Sequence, residues 1–288
     1  MTGKICLVTG ANAGIGKATA TGLARMGAAV VMVCRNRERG ETAQAAVAAD
    51  SNSQDVDLLI ADLSSQGSIR KLARTVTSRY PQLDVLINNA GTITRIRRLT
   101  VDGLETQFAV NHLGPFLLTN LLLGILKASA PARVVTVSSQ VHSKSHLDLD
   151  DLRSNREYTA SQVYRKTKLA NILFTYELAR RLEGTNVTAN CLHPGVIATK
   201  LLDDYMGGSH EAGFGSGNSF GDSPEQGAAT VLYAATSPES EGISGRYFYD
   251  NDVRETAPIT YDEDHARWLW DISAESTGLR SWPAPRGH

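Results

Sequence analysis

The stretch Thr9-Gly10-Ala11-Asn12-Ala13-Gly14-Ile15-Gly16-Lys17 decides the fold. It follows an apolar run, Lys4–Thr9, and leads without a break into a helical pattern over Gly14–Met26. Glycines at such a turn let the backbone approach a pyrophosphate, and the free N–H groups of the helix's first turn bind it. A buried strand, a glycine-rich turn and a helix in succession open a dinucleotide-binding unit. Gly10, Asn12, Ala13, Gly14, Ile15 and Gly16 are therefore candidate cofactor contacts. Three residues separate the first glycine pair and one separates the second, unlike the one-then-two spacing of the usual fingerprint.

Outward from this turn the pattern repeats. Strands are expected over Lys4–Thr9, Ala29–Cys34, Val56–Ile60, Asp84–Asn88, Arg133–Ser138, Val187–Leu192 and Gly245–Tyr249. These are apolar runs without alternation, as in strands buried on both faces of a parallel sheet. Helical patterns lie between them, over Gly14–Met26, Arg37–Ala49, Gln66–Arg79, Asp102–Ala128, Tyr158–Glu183 and Pro224–Thr236. The prediction is a single α/β domain over residues 1–288, Rossmann-type and doubly wound, with about seven parallel strands and helices on both faces. Two segments stand apart. Asp203–Asp222 holds six glycines and is expected to form part of a flexible substrate lid over about 197–223. Asp262–Ser276 is expected to be a C-terminal amphipathic helix with Trp268, Leu269 and Ile272 facing inward.

Composition narrows the function. Of 288 residues 42% are hydrophobic and 20% charged, enough for an ordinary core without a metal or disulfide staple. The net charge of -1 and the scattered basic residues argue against nucleic acid as a partner. Cys6, Cys34 and Cys191 are an odd set with no close pair, so neither a disulfide framework nor a zinc site is expected. No basic-then-apolar leader precedes the first strand. The apolar run Leu113–Leu126 is interrupted by Pro115, Thr119 and Asn120 and falls short of the ~18 residues of a membrane span. A cytoplasmic protein with no membrane partner is expected.

Chemistry gathers at the carboxyl ends of the strands, which face the ligand crevice in an open α/β sheet. After the second strand stands Arg35, next to Asn36, where an enzyme specific for NAD carries a carboxylate and one for NADP an arginine. Lys17 is a second cation within reach. Asp62 and Leu63 follow the third strand, with Asp62 suited to the adenine amino group. Asn89, Ala90 and Gly91 close the fourth. Ser139 ends the fifth, where a hydroxyl can hold a carbonyl oxygen as it gains charge. After the sixth, the turn of Pro194, Gly195 and Val196 can pack beside a nicotinamide, and Thr199 can reach its carboxamide or a phosphate. Tyr164 and Lys168 are one helical turn apart and share a face. A phenol near pKa ~10 is a poor catalyst at neutral pH, and a neighbouring ammonium favours its ionised form. Asn111 lies mid-helix, where an amide has low propensity.

Together these motifs resemble the short-chain dehydrogenase/reductase family from residue 4 to about residue 250. The resemblance implies a catalytic tetrad of Asn111, Ser139, Tyr164 and Lys168. Tyr164 would exchange the proton and Ser139 would hold the substrate oxygen. Lys168 would bind the nicotinamide ribose and tune Tyr164, and Asn111 would position a water. Within the family the chain is most similar to the retinol dehydrogenase group and its bacterial relatives. Thr9–Lys17, Cys34-Arg35-Asn36, Leu99-Thr100-Val101-Asp102-Gly103, Asn111-His112-Leu113-Gly114-Pro115-Phe116 and Lys168-Leu169-Ala170-Asn171 carry that likeness, as does the 25-residue interval from Ser139 to Tyr164. Unlike that group, no N-terminal anchor is expected here, and Arg95, Arg97 and Arg98 cluster after Gly91, where they could meet a polar substrate group. The expected activity is NADPH-dependent hydride transfer between nicotinamide and a hydrophobic aldehyde or ketone, or its alcohol. No metal is expected, and the resemblance implies a homodimer or homotetramer. A specialised-metabolite ketoreductase, a non-catalytic NADPH sensor and a sugar-nucleotide epimerase are the alternatives. The last would need wider glycine spacing and a larger C-terminal domain.

Overall fold

A computed structural model of the chain describes residues 1–145, 158–198, 201 and 221–279. The strands are β1 (Ile5–Thr9), β2 (Ala29–Cys34), β3 (Val56–Ile60), β4 (Val85–Asn88), β5 (Ala132–Val137), β6 (Val187–Leu192), β7 (Tyr247–Tyr249) and β8 (Asp252–Arg254). They form one sheet in the order β3-β2-β1-β4-β5-β6-β7-β8. Every pairing is parallel except β7 with β8. The helices are α1 (Gly14–Arg25), α2 (Arg37–Ser51), α3 (Gln66–Arg79), α4 (Thr106–Ala128), α5 (Ala160–Arg181), α6 (Pro224–Thr236) and α7 (Glu263–Ser276).

The apolar strands are sorted by the pleat. Along β1, Leu7 enters the core under α3, α4 and α5, while Cys6 and Val8 enter the one under α1, α2 and α6. With both faces covered, no strand needs a polar side, which is why the runs do not alternate. Cys6, Cys34 and Cys191 are free and buried, and burial raises their thiol pKa values, that of Cys34 to about 11. The chain winds outward from β1 in both directions, so the order reverses between β1 and β4. Their carboxyl ends diverge there and open the crevice.

Three features differ from expectation. The sheet has an eighth strand, joined to β7 through Asp250 and Asn251 at φ 53° and 61°. Two successive positive φ values suit the twist of a tight hairpin. The helix expected from Asp102 starts at Thr106 and contains a π-helical turn over Ala109–Leu113. It is long and apolar enough to cross a bilayer, yet most of it is buried in this fold. In α7 the buried positions are Ala266, Leu269, Trp270, Ser273 and Ala274, and Trp268 and Ile272 are only partly covered. The inward stripe centres on Trp270, four residues after Ala266 and four before Ala274. The lid expected over 197–223 falls for its greater part, 199–200 and 202–220, outside the described residues.

Trp270 anchors α7 to α4 and α5. Its ring meets Phe116 edge-on at 4.9 Å and stacks on Phe174 at 5.9 Å. The Arg181 guanidinium lies 4.3 Å from its centroid. Truncating a buried tryptophan costs about 3–5 kcal/mol. Trp270→Ala should lower the urea midpoint accordingly, and an unchanged midpoint would show that α7 is dispensable to the core.

Candidate active site

The crevice begins with a clamp between β1 and β4. Thr9, fully buried, donates its hydroxyl to the Ile87 carbonyl at 3.2 Å. The same oxygen accepts the N–H groups of Asn89 at 3.0 Å and Ala90 at 3.1 Å. Asn89 returns the contact, its Nδ2 donating to the Thr9 carbonyl at 2.8 Å. The two loops lie so close that a Cβ on Gly10 would come 2.9 Å from Ala90 Cα, and one on Gly16 would overlap the Gly10 carbonyl. Packing alone requires these two glycines. Gly14 has φ 53° and faces the cleft.

Above the clamp is a cleft of about 450 Å³ lined by Gly10, Asn12, Ala13, Gly14, Ile15, Gly16, Arg35, Asp62, Leu63, Asn89, Ala90 and Gly91. Side chains cap the starts of α2, α3, α6 and α7. The start of α1 has no such cap and no acidic residue in its first turn, so its N–H groups remain for an anion. Arg35 is exposed at the opposite rim and makes no ion pair with another described residue. Asp62 is held by its Oδ1, which accepts from Ser64 N at 2.9 Å and Ser64 Oγ at 2.7 Å. An uncapped helix start, a guanidinium without an ion pair among the described residues and a fixed carboxylate around one cleft fit a dinucleotide.

A second cleft of about 290 Å³ adjoins the first, sharing Ile15, Asn89 and Leu201. It collects Ser139, Tyr164, Lys168, Pro194, Gly195 and Val196 among apolar neighbours that include Ile93, Val141 and Ile197. Lys168 is 3% exposed. Its ammonium donates to the Val137 carbonyl at 2.9 Å and lies 5.3 Å from the Tyr164 ring centroid. Burial pushes its pKa down to about 8. The two serines divide their work. Ser138 donates its hydroxyl to the Lys168 carbonyl at 2.7 Å. Among the described residues Ser139 Oγ only accepts, at 3.4 Å from Val141 N, which leaves its proton for a ligand oxygen. His193, also lining this cleft, is kept neutral, since burial pushes its pKa down to about 4.

Asn111 sits in the π turn of α4, a device that recurs at functional sites. Its Oδ1 accepts from Thr92 N at 2.7 Å, and its Nδ2 donates to Thr92 O at 2.9 Å and Thr167 Oγ1 at 3.2 Å. The side chain thus braces the loop after Gly91 against α5. A Cβ built on Gly91 would lie 3.7 Å from Asn111 Oδ1 and 3.9 Å from Lys168 Nζ, so both flank the junction of the clefts.

This geometry has a counterpart in known proteins. Residues 4–206 match the short chain dehydrogenase family. The chain is a short-chain dehydrogenase/reductase. Its members are oxidoreductases that use a nicotinamide cofactor on alcohol or carbonyl groups. Retinol dehydrogenase 14 of Homo sapiens is 48% identical, the match covering 97% of this chain and 88% of that protein. This places the protein in the retinol dehydrogenase-like group. Among solved structures, an uncharacterised protein from Mycobacterium paratuberculosis is 34% identical with a TM-score of 0.78, over 96% of this chain and 94% of that one. A short chain dehydrogenase from Burkholderia cenocepacia, solved in complex with NADP, is 25% identical with a TM-score of 0.67, over 86% of this chain and 96% of that one.

Most of the residues expected to serve this short-chain dehydrogenase/reductase line its two clefts. Asn36 and Asn111 do not: Asn36 Oδ1 caps α2 by accepting from Arg39 N at 2.9 Å, and Asn111 holds the Thr92 backbone beside the clefts. Lys17, Arg95, Arg97 and Arg98 also lie away from both linings. Thr199 lies outside the described residues. Thr9 escaped notice as a functional residue, although a hydroxyl at the last position of an otherwise apolar strand is a visible signal. Thr9→Val should strand two half-buried N–H groups at a cost of up to about 1–3 kcal/mol and weaken cofactor binding. Denaturation and cofactor titration would measure both effects, and a variant unchanged in stability would remove the clamp's importance.

Proposed function

We propose that the protein is an NADPH-preferring carbonyl reductase and alcohol dehydrogenase for apolar aldehydes and ketones. The observation that carries this reading is the meeting of Tyr164, Lys168 and Ser139 in an apolar cleft continuous with the dinucleotide cleft. A bound nicotinamide cofactor supplies or accepts the hydride. Gly14, Ile15 and the first turn of α1 would hold its pyrophosphate, Asp62 its adenine, and Gly91 and Lys168 its nicotinamide half.

Ser139 donates a hydrogen bond from its hydroxyl to the substrate oxygen, keeping its own proton, and orients the carbonyl. Tyr164 gives that oxygen its proton in reduction and takes it back in oxidation. Lys168, next to the Tyr164 ring, stabilises the negative charge left on the phenol oxygen. Asn111 keeps the Thr92 loop and α5 in register. The NADPH preference rests on Arg35, whose fork can meet a 2′-phosphate with two parallel bonds. The similarity to retinol dehydrogenases makes long apolar alcohols and aldehydes the first substrates to try.

NADPH absorbance, followed against a panel of aldehydes, ketones and quinones, tests the reading. Tyr164→Phe should reduce turnover by about 10²–10⁴-fold with cofactor binding intact, and retained turnover would refute the role of Tyr164. Arg35→Ala should weaken NADPH binding by about 10- to 100-fold, the equivalent of ~1.5–3 kcal/mol for a charged hydrogen bond, and leave NADH affinity unchanged. Equal losses for both cofactors would refute the preference. Lys168 is charged below about 8 and neutral above it, so kcat/KM should fall as pH rises through that value. A flat alkaline profile would contradict the role of its ammonium.

A further inference from the structure

Ser139 opens a short 3₁₀ turn, Gln140–Lys144, and the third residue of that turn, His142, is buried. The backbone N–H of His142 donates to the Ser139 carbonyl at 3.2 Å, and its ring Nδ1 lies 2.7 Å from the same oxygen. A carbonyl oxygen can only accept, so Nδ1 carries the proton. On the far side of the ring, Nε2 lies 3.3 Å from the N–H of Ala257. That contact requires a bare nitrogen. The two bonds together admit one form of the ring, neutral with its hydrogen on Nδ1. Tyr247 holds the plane edge-on at 5.3 Å.

His142 lines neither cleft, and no step described above uses it. We infer that His142 is a positioning residue for Ser139, tying the carbonyl of that serine to the chain segment that follows β8. The inference rests on the proposed role of Ser139. Among the described residues the Ser139 hydroxyl is held by one long bond, from Val141 N, so its direction depends on its own backbone. Two donors on one carbonyl fix that backbone, and the Ala257 N–H keeps the ring from turning away.

Protonation of Nε2 would set donor against donor at Ala257. Burial opposes it and holds the pKa of His142 below the ordinary histidine value. The titratable groups around the ring also count. They are Tyr247 on β7, His193 after β6, whose protonation His142 disfavours, Lys144 on the same turn, and Tyr164 and Lys168 on α5, which packs against this turn. On the acid side, turnover should therefore fall when pH drops below 6.5, the reference value for histidine.

Two variants and one spectrum test this. His142→Leu keeps bulk but loses both bonds. It should lower kcat by about 10- to 100-fold, the loss expected when a reacting group is misplaced by about an ångström, with NADPH affinity unchanged. His142→Asn, whose amide can donate to the Ser139 carbonyl, should recover most of the lost kcat. Wild-type kcat in His142→Leu would overturn the inference. So would equal losses of kcat and cofactor affinity in both variants, which would mark a general structural role. If His142→Leu does not fold, the spectrum and His142→Asn decide. Nitrogen-15 histidine spectra of the unmodified protein should show the Nδ1–H tautomer and no titration near the ordinary value, and an Nε2–H ring would overturn the inference. This measurement needs no turnover. A wild-type protein inactive across the carbonyl panel would refute the proposed function and still leave the tautomer readable.

Discussion

The site depends on one hydroxyl. Thr9 Oγ1 joins the end of β1 to the first residues after β4, at the place where the sheet order reverses. With the bond from Asn89 Nδ2 to the Thr9 carbonyl, it holds the two diverging loops at a fixed distance. With the clamp in place, Gly10 packs on Ala90 and Gly16 on Gly10, and the start of α1 is aimed into the cleft. The phosphate cradle, and through Asn89 the junction with the second cleft, follow from that spacing.

Buried charge is handled differently at the site and away from it. Glu177 on α5 is buried with Arg180 and Arg181 both bonded to its carboxylate, as a structural ion must be. Lys168, nine residues earlier on the same helix, has a backbone carbonyl and an aromatic face instead of a carboxylate. Its ammonium is poorly compensated, and its pKa falls as a result. Two charges on one helix thus differ in compensation, and the proposed role of Lys168 draws on the less compensated one.

Much of this was legible beforehand because strong local constraints write it into the residues. The buried parallel strands and the Gly-rich turn need particular residue types at particular spacings, and the helix face shared by Tyr164 and Lys168 needs only the helical period. The choice of Ser139 over Ser138 came from resemblance, and the residues gave no sign that Ser138 Oγ bonds to the Lys168 carbonyl. What was missed depends on tertiary phase. Trp268 and Trp270 are two residues apart on an amphipathic stretch, and only the position of Phe116 and Phe174 determines which one is buried. The π turn around Asn111 leaves no mark in hydropathy. Asn36, expected among the cofactor contacts, also caps α2 through its Oδ1, a role that needs the helix start to be placed first. The strand after Asp250-Asn251 is three residues long and wholly exposed, so it has no apolar signature.

That short strand also governs how the molecule behaves among its copies. A parallel sheet ending at β7 would present a row of unpaired backbone groups flanked by Tyr247 and Phe248, an open template for a strand from another chain. The hairpin folds Asp252-Val253-Arg254 back over that row. The new border is three residues long and bears one charge of each sign, features that discourage edge-to-edge association. The last hairpin of the sheet therefore covers the backbone edge of β7 and leaves a shorter, charged border in its place.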